Sequence, residues 1–112
     1  MNTNDLLNEI KDLLTVGYGI TAITSGVQIT TVAGVPKRLA AISIDAKWTL
    51  VQAIPANTTR LAAGDINIDE TPASVRGIIL YAGESQWFPL DPYDIYIDVA
   101  TTAQGATYIA LK

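Results

Sequence analysis

The spacing of hydrophobic residues along the chain changes at Gly17. Before Gly17, apolar side chains recur at helical spacing with polar residues opposite them, which predicts an amphipathic helix over residues 4–16. Asn4 has the chemistry of an N-cap, and Gly17 is typical of the residue that ends a helix. The apolar stripe consists of Leu6, Leu7, Ile10, Leu13 and Leu14. A helix this short needs a surface to pack on, either an open end of its own domain or a neighbouring chain.

From Ile20 onward, short segments of alternating apolar and polar residues are separated by turns rich in Gly, Pro and Asn. This pattern predicts seven or eight strands, and the absence of helical periodicity between them excludes a parallel βαβ arrangement. Residues 48–54 are nearly apolar on both faces, as in a central strand. We therefore predict an all-β fold, a small antiparallel β-sandwich of jelly-roll or immunoglobulin-like type with one N-terminal amphipathic helix. Its predicted parts are a helical docking arm over residues 1–22 and a sandwich domain over residues 23–112.

Local turn signals predict how some of these strands pair. A further strand is expected over residues 39–44. A tight turn at 82–84 predicts that 77–81 and 85–89 form a hairpin, and residues 94–111 predict a closing hairpin with a longer loop. Tyr96 and Tyr108 are expected on the outer face of this closing hairpin. Because few charges protect it, we expect its edge to meet other copies of the chain.

Composition removes several classes of function. The chain of 112 residues has room for one domain, and it contains neither Cys nor His. Catalytic triads, Cys–His pairs and metal sites built on thiolate or imidazole are therefore excluded. The net charge of −4 with scattered basic residues argues against nucleic-acid binding. No apolar run approaches a membrane span, and the acidic N-terminus differs from a signal peptide. The low charged fraction, 16%, indicates a surface covered by small polar residues or by a partner.

Carboxylates are the only candidate acid–base groups, and they occur in two groups along the chain: Asp65, Asp69 and Glu70, then Asp91, Asp94 and Asp98. Two carboxylates across a cleft would suit glycoside hydrolysis by a small hydrolase, and a cluster of them would suit Ca²⁺. EF-hand spacing is absent. All six lie in or beside turns, where Asp caps backbone amides, so the structural role is favoured. We predict no catalytic residue, no cofactor and no metal.

Aromatic residues gather around the breaks at Pro89 and Pro92. Three of them would suit sugar stacking in a carbohydrate-binding module: Trp87, Tyr93 and Tyr96. The favoured alternative is that Trp87 and Phe88 flank an edge strand, with one side chain in the core and the other half exposed.

Four segments resemble a known group of proteins: VQITTVAGVPKRLA, KWTLVQAIPANTTRLAAGD, RGIILYAGESQWFPL and DIYIDVATTAQGATYIALK. In this order they resemble small β-sandwich modules common in structural proteins of tailed bacteriophages. The matching positions are 51–53, 55–58, 77–80, 83–85, 95–97 and Gly105, so the resemblance covers most of residues 27–111 and none of the predicted helix. The same sequence positions also follow the general rules of turn formation, since Gly83 suits a tight turn and Asn57 tolerates a left-handed backbone.

The resemblance implies a non-enzymatic virion protein, assembled in the host cytoplasm and carried in the virion. A capsid decoration (cement) protein is favoured, which binds the major capsid protein and assembles with copies of itself, as a trimer in particular. A head–tail connector and a tail or fibre component are the alternatives. The residues expected to make protein contacts are Leu6, Leu7, Ile10, Leu13, Leu14, Tyr96 and Tyr108.

Overall fold

The computed structural model describes residues 19–71 and 74–112, and this part of the chain is all-β. It contains eight strands, which confirms the predicted count, and one 3₁₀ turn at Pro92–Asp94. The strands are β1 (Ile23–Ile29), β2 (Lys37–Arg38), β3 (Trp48–Ala53), β4 (Leu61–Gly64), β5 (Ile78–Leu80), β6 (Ser85–Phe88), β7 (Tyr96–Val99) and β8 (Gly105–Leu111). The helix predicted over residues 4–16 lies outside the described residues.

The strands form two antiparallel sheets of four strands each. The first sheet has the order β1-β8-β3-β6, and the second has the order β2-β7-β4-β5. Pairing is nested, because β1 pairs with β8, β2 with β7, β3 with β6, and β4 with β5. The chain therefore runs as one long antiparallel hairpin that is rolled up, and the pairs β3–β8 and β4–β7 join its turns. The central position predicted for β3 is confirmed, since it lies between β8 and β6.

Side chains from both sheets share one hydrophobic core. On β3 the buried residues Thr49, Val51 and Ala53 alternate with partly exposed ones, as the period of a strand requires. The core cluster combines residues of both sheets and of their connections: Leu39, Val51, Ala53, Leu61, Ala63, Leu80, Ile95, Ile97, Val99 and Ala106. Burial of each large aliphatic side chain contributes roughly 1.5–3 kcal/mol, so this cluster is the main source of stability.

Both predicted hairpins are wrong, because β5 and β6 lie in different sheets and so do β7 and β8. The turn at 82–84 extends the ladder of β3: the Ala53 amide donates to the Glu84 carbonyl at 2.9 Å, and the Gly83 amide donates to the Ala53 carbonyl at 2.9 Å. In the same way, Thr30 exchanges hydrogen bonds with residues 103 and 104. In each turn, backbone amides and carbonyls form hydrogen bonds with a neighbouring segment. The chain can therefore pass from one sheet to the other without leaving these groups unpaired.

The strand predicted over residues 39–44 is also wrong, since the regular strand is limited to Lys37–Arg38. Beyond it, a carboxylate replaces a neighbouring strand as the acceptor for the backbone. The Ile44 and Ala46 amides both donate to Asp91 Oδ2, at 3.1 and 2.8 Å. Local apolar alternation therefore did not produce a strand where a side chain satisfied the backbone instead.

The closing strands do not form a sheet edge. Both β7 and β8 lie inside their sheets, and the edge strands are β1, β6, β2 and β5. The expectation that the closing strands present a free edge is therefore wrong. At the other end of the body, Ile20 is buried, and the Thr21 and Ala22 amides donate to the Lys112 carbonyl at 2.6 and 3.2 Å. Residues 20–22 thus pack with the strands, ahead of the boundary predicted at residue 23.

Candidate functional site

The outer side of the first sheet is apolar and exposed. Successive strand residues point to opposite sides of the sheet, so the residues that alternate with the buried positions share this outer side. Ile23 is 64% exposed, Val27 59% and Trp87 46%, which is high for large hydrophobic side chains. We call this surface the apolar face, and it consists of Ile23, Val27, Ile29, Trp48, Leu50, Trp87, Ile109 and Leu111. The polar side chains between them are uncharged: Ser25, Gln52, Ser85 and Thr107.

Strand register joins these residues into rows across the sheet. Ile23, Leu111 and Trp48 are direct cross-strand partners, and so are Ile109, Leu50 and Trp87. Such rows make a continuous patch, whereas single exposed hydrophobic residues would be unremarkable. Continuous exposed apolar patches of this kind mark contact surfaces.

The N-terminal segment joins the body beside this face. The Gly19 carbonyl accepts a hydrogen bond from Lys47 Nζ at 2.9 Å, and Lys47 directly precedes Trp48 of the apolar face. The predicted stripe Leu6, Leu7, Ile10, Leu13 and Leu14 lies outside the described residues. The first described residues, from Gly19 to Ala22, lie beside the row formed by Ile23, Leu111 and Trp48.

The prediction that Tyr108 lies on an outer face is wrong. Tyr108 is half-buried against the core and pairs across the strands with the buried Val51 and with Gly26. A Cβ at Gly26 would overlap the Tyr108 ring, so glycine is what lets the ring lie there. Both faces of β8 are apolar, so the alternation of its residues did not show which face points into the core. The signal that distinguishes them is size: the small Ala106 and Ala110 face the core, and Ile109 and Leu111 face outward.

Tyr96 lies on the outer side of the second sheet, because the adjacent Ile97 points into the core. The Arg38 guanidinium stacks on the Tyr93 ring at 4.0 Å and on the Tyr96 ring at 4.9 Å. Arg38 Nη1 also donates to the Tyr93 carbonyl at 2.6 Å. Both tyrosines are thus held by a cation–π cluster. Trp87 is on the first sheet, so the structure does not unite Trp87, Tyr93 and Tyr96 as a sugar platform.

Three carboxylates meet on the second sheet. Asp69 and Glu70 come from the connection between β4 and β5, and Asp98 comes from β7. Their carboxylate oxygens lie within 4.8 Å of one another, and we call this group the acidic cluster. A pair of backbone hydrogen bonds between Asp69 and Arg76, of 3.1 and 2.9 Å, holds the connection in place.

The two aspartates of the acidic cluster have opposite electrostatic environments. Asp98 is 2% exposed; the Glu70 amide donates to its Oδ2 at 3.4 Å, and its Oδ1 has no hydrogen-bond partner among the described residues. Burial raises the pKa of Asp98, against the lowering effect of the Glu70 amide, and the charge of Asp69 raises it further. Hydrogen bonds donated by Ser74 Oγ and by the Thr71 amide lower the pKa of Asp69 to about 2.

Asp65 and Asp91 support the fold, as the turn chemistry predicts, whereas Asp94 is exposed. Asp65 accepts from the Asn67 amide at 2.9 Å, and Asp91 caps the 3₁₀ turn by accepting from the Tyr93 amide at 2.8 Å. Sequence reasoning placed Asp98 in a different group from Asp69 and Glu70. It missed the acidic cluster because only the pairing of β7 with β4 brings Asp98 to the β4–β5 connection.

Within the described part of the chain, no helix has the length and apolar character needed to cross a membrane. Comparisons with protein-family models, with curated proteins and with solved structures find no match to this chain.

Proposed function

We propose that this chain is a non-enzymatic structural protein of a tailed-bacteriophage virion, and specifically a capsid decoration protein that binds and stabilises the shell. The observation that supports a role in assembly is the apolar face. It exposes two tryptophans and several branched aliphatic residues with no charged side chain among them. A surface of this composition is typical of the buried centre of a protein–protein interface.

We further propose that the two sheets form a β-sandwich of the jelly-roll type. The nested pairing of eight strands, with β1 against β8 and β4 against β5 at its ends, supports this topology. Jelly rolls are common in viral capsid proteins and in lectins. A fold by itself does not determine a function, so this topology supports the virion role only by analogy, in agreement with the resemblance of the sequence.

In this proposal the apolar face meets other copies of the chain, with a trimer favoured by the resemblance. Ile109 and Leu111 of β8 take the place that Tyr108 had in the sequence-based hypothesis. The described chain begins at Gly19 beside the same face, and in this proposal the stripe from Leu6 to Leu14 contacts the capsid or a neighbouring copy. Assembly would remove the apolar face from water. Each Å² of apolar surface buried in this way contributes about 25 cal/mol of favourable free energy.

The virion role is tested on purified particles of the phage that encodes the chain. We expect mass spectrometry to find the protein in many copies per particle, and a reconstruction to place it on the capsid surface. Density at the head–tail junction or on a fibre would favour those alternatives instead. Absence of the protein from the particles would refute the proposal.

The interface is tested with a charge placed on the apolar face. Ile109→Lys should give a monomer by light scattering at micromolar concentration, because a lysine there would be desolvated on assembly. Ile66→Lys is the matched control, since Ile66 is 60% exposed in the connection between two strands of the second sheet. We expect the control to assemble as the unmodified protein does. An unmodified protein that is monomeric and makes no contact between copies in the particle would overturn this interface.

A further inference from the structure

We propose that Asp69, Glu70 and Asp98 bind one divalent cation, and that Ca²⁺ is the ion that fits. Two independent observations point to a ligand: the carboxylate oxygens converge within 4.8 Å, and the buried Asp98 has an oxygen, Oδ1, without a partner in the described part of the chain. This inference does not depend on a role in a virion.

Asp98 is the residue that indicates a bound ligand, because buried carboxylate oxygens normally have hydrogen-bond or metal partners. Asp98 is 2% exposed, yet it lines an open depression together with Gly34, Asn67, Asp69 and Arg76. The side chain that carries the unpaired oxygen therefore borders a depression from which an ion can approach, although the oxygen itself is buried. A cation bound between the three carboxylates would give Oδ1 a partner and would offset the repulsion between Asp98 and Asp69.

The chemistry of the ligands favours Ca²⁺, and the spacing of the oxygens allows it. The chain has neither Cys nor His, so its ligands are oxygens, which hard cations prefer. Ca²⁺–oxygen distances of 2.3–2.6 Å place opposite ligands up to about 4.6–5.2 Å apart, so three oxygens within 4.8 Å of one another can share one Ca²⁺. Mg²⁺ demands near-ideal octahedral geometry and dehydrates reluctantly, whereas Ca²⁺ accepts the irregular set of ligands that a loop and a strand supply. The side chain of Asn67, which lines the depression, and water molecules can supply further oxygen ligands.

A bound ion would tie the long β4–β5 connection to β7. Because it binds the folded chain, Ca²⁺ should raise the unfolding temperature in a concentration-dependent way. With three carboxylates at an open site, we expect a dissociation constant of about 10⁻⁴ to 10⁻³ M, as in extracellular calcium modules.

The test uses the full chain, stripped with EDTA and titrated with CaCl₂ by calorimetry and by thermal unfolding. Asp98→Asn and Glu70→Gln each remove one ligand charge, and we expect each to weaken Ca²⁺ binding at least about tenfold. Asp94→Asn is the control, since it removes the same charge from an exposed side chain outside the acidic cluster. We expect this control to bind as the unmodified chain does.

The stability of Asp98→Asn in EDTA separates a ligand from a structural residue. An asparagine oxygen can still accept from the Glu70 amide, so we expect this variant to be at least as stable as the unmodified chain without Ca²⁺ and less stable with it. No heat and no thermal shift up to about 10 mM CaCl₂, roughly ten times the weakest expected constant, would overturn the site. An unchanged Ca²⁺ affinity in both ligand variants would also overturn the site. If Asp98→Asn fails to fold, the Ca²⁺ affinity of Glu70→Gln decides by itself. A response to MgCl₂ equal to that with CaCl₂ would overturn the assignment to Ca²⁺.

Discussion

At the scale of single residues, Asp91 organises the chain around it. It is buried, and its two carboxylate oxygens accept hydrogen bonds from the amides of Ile44, Ala46 and Tyr93. Burial alone would raise the pKa of Asp91, but these three amides outweigh it and hold the pKa below its ordinary value of 3.8. One carboxylate thus replaces a strand partner for the 39–47 connection and caps the 3₁₀ turn.

Replacing Asp91 by alanine should lower the free energy of unfolding by about 3 kcal/mol at neutral pH, because three amides lose a charged acceptor. Urea denaturation measures this change. Asp94→Ala, in the same turn but exposed, is the control and should change stability by less than about 0.5 kcal/mol. Equal effects of the two substitutions would contradict the role of Asp91.

The contribution of Asp91 should also depend on pH. Since its pKa is lower in the folded chain than in the unfolded one, the stabilisation is complete above 3.8 and is lost as the pH falls through the folded value. The difference in stability between the unmodified chain and Asp91→Ala should therefore narrow in acid. A difference that stays constant down to the lowest pH at which both fold would show that the charge is not involved.

Asn57 has a role that its position in a turn did not reveal. Asn57 tolerates a left-handed backbone but does not adopt one; among the non-glycine residues described, Asp45 and Ala103 do. Asn57 is buried: its Nδ2 donates to the Gly105 carbonyl at 2.8 Å, and its Oδ1 accepts from the Gly105 amide at 3.3 Å. A Cβ at Gly105 would overlap the Gln28 carbonyl, so this junction also requires glycine. Asn57 and Gly105, which are far apart in the sequence, thus meet in space.

At the scale of elements, the two faces of β3 lie in different environments. Val51 is fully buried in the core, whereas Leu50 belongs to the apolar face and is only half-buried. The two faces of β3 are therefore nearly equally hydrophobic for two different reasons. The inner face stabilises the fold, and the outer face is available for a partner.

Substitutions on the two faces of β3 should separate stability from assembly. Val51→Ala should lower the free energy of unfolding by about 2 kcal/mol, because it leaves a cavity in the core. Leu50→Ala should lower the stability of the isolated monomer by about 1 kcal/mol or less and should weaken self-association measured by light scattering. Unchanged self-association in Leu50→Ala would argue against the apolar face as the contact surface.

At the scale of the whole molecule, the nested strands bury one side of the first sheet and leave the other side exposed. The apolar face is therefore a hydrophobic surface of the described body, and the predicted stripe Leu6, Leu7, Ile10, Leu13 and Leu14 remains a prediction outside the described residues. Because the described strands form a shared core from Ile20 onward, we expect this body to fold by itself. The N-terminal segment is then available for attachment.

Deleting residues 1–16 should leave a folded β-body that no longer assembles or attaches to the particle. Circular dichroism and cooperative urea unfolding test the fold, and light scattering and particle binding test the assembly. A truncated chain that unfolds would mean that the segment is part of the core. A truncated chain that still assembles and attaches would mean that the segment does not dock.

The sequence by itself determined the all-β class, a count of seven or eight strands, the central position of β3 and the capping roles of Asp65 and Asp91. These features depend on side-chain alternation and turn chemistry within a few residues, which are local properties. Only the tertiary structure decided which strands pair, which side of β8 faces the core and which carboxylates meet. Alternation divides residues between two faces but does not identify a partner strand, and Asp98 and Glu70 are 28 residues apart in the chain. Their contact exists because β7 pairs with β4, a long-range choice made by packing both sheets around one core.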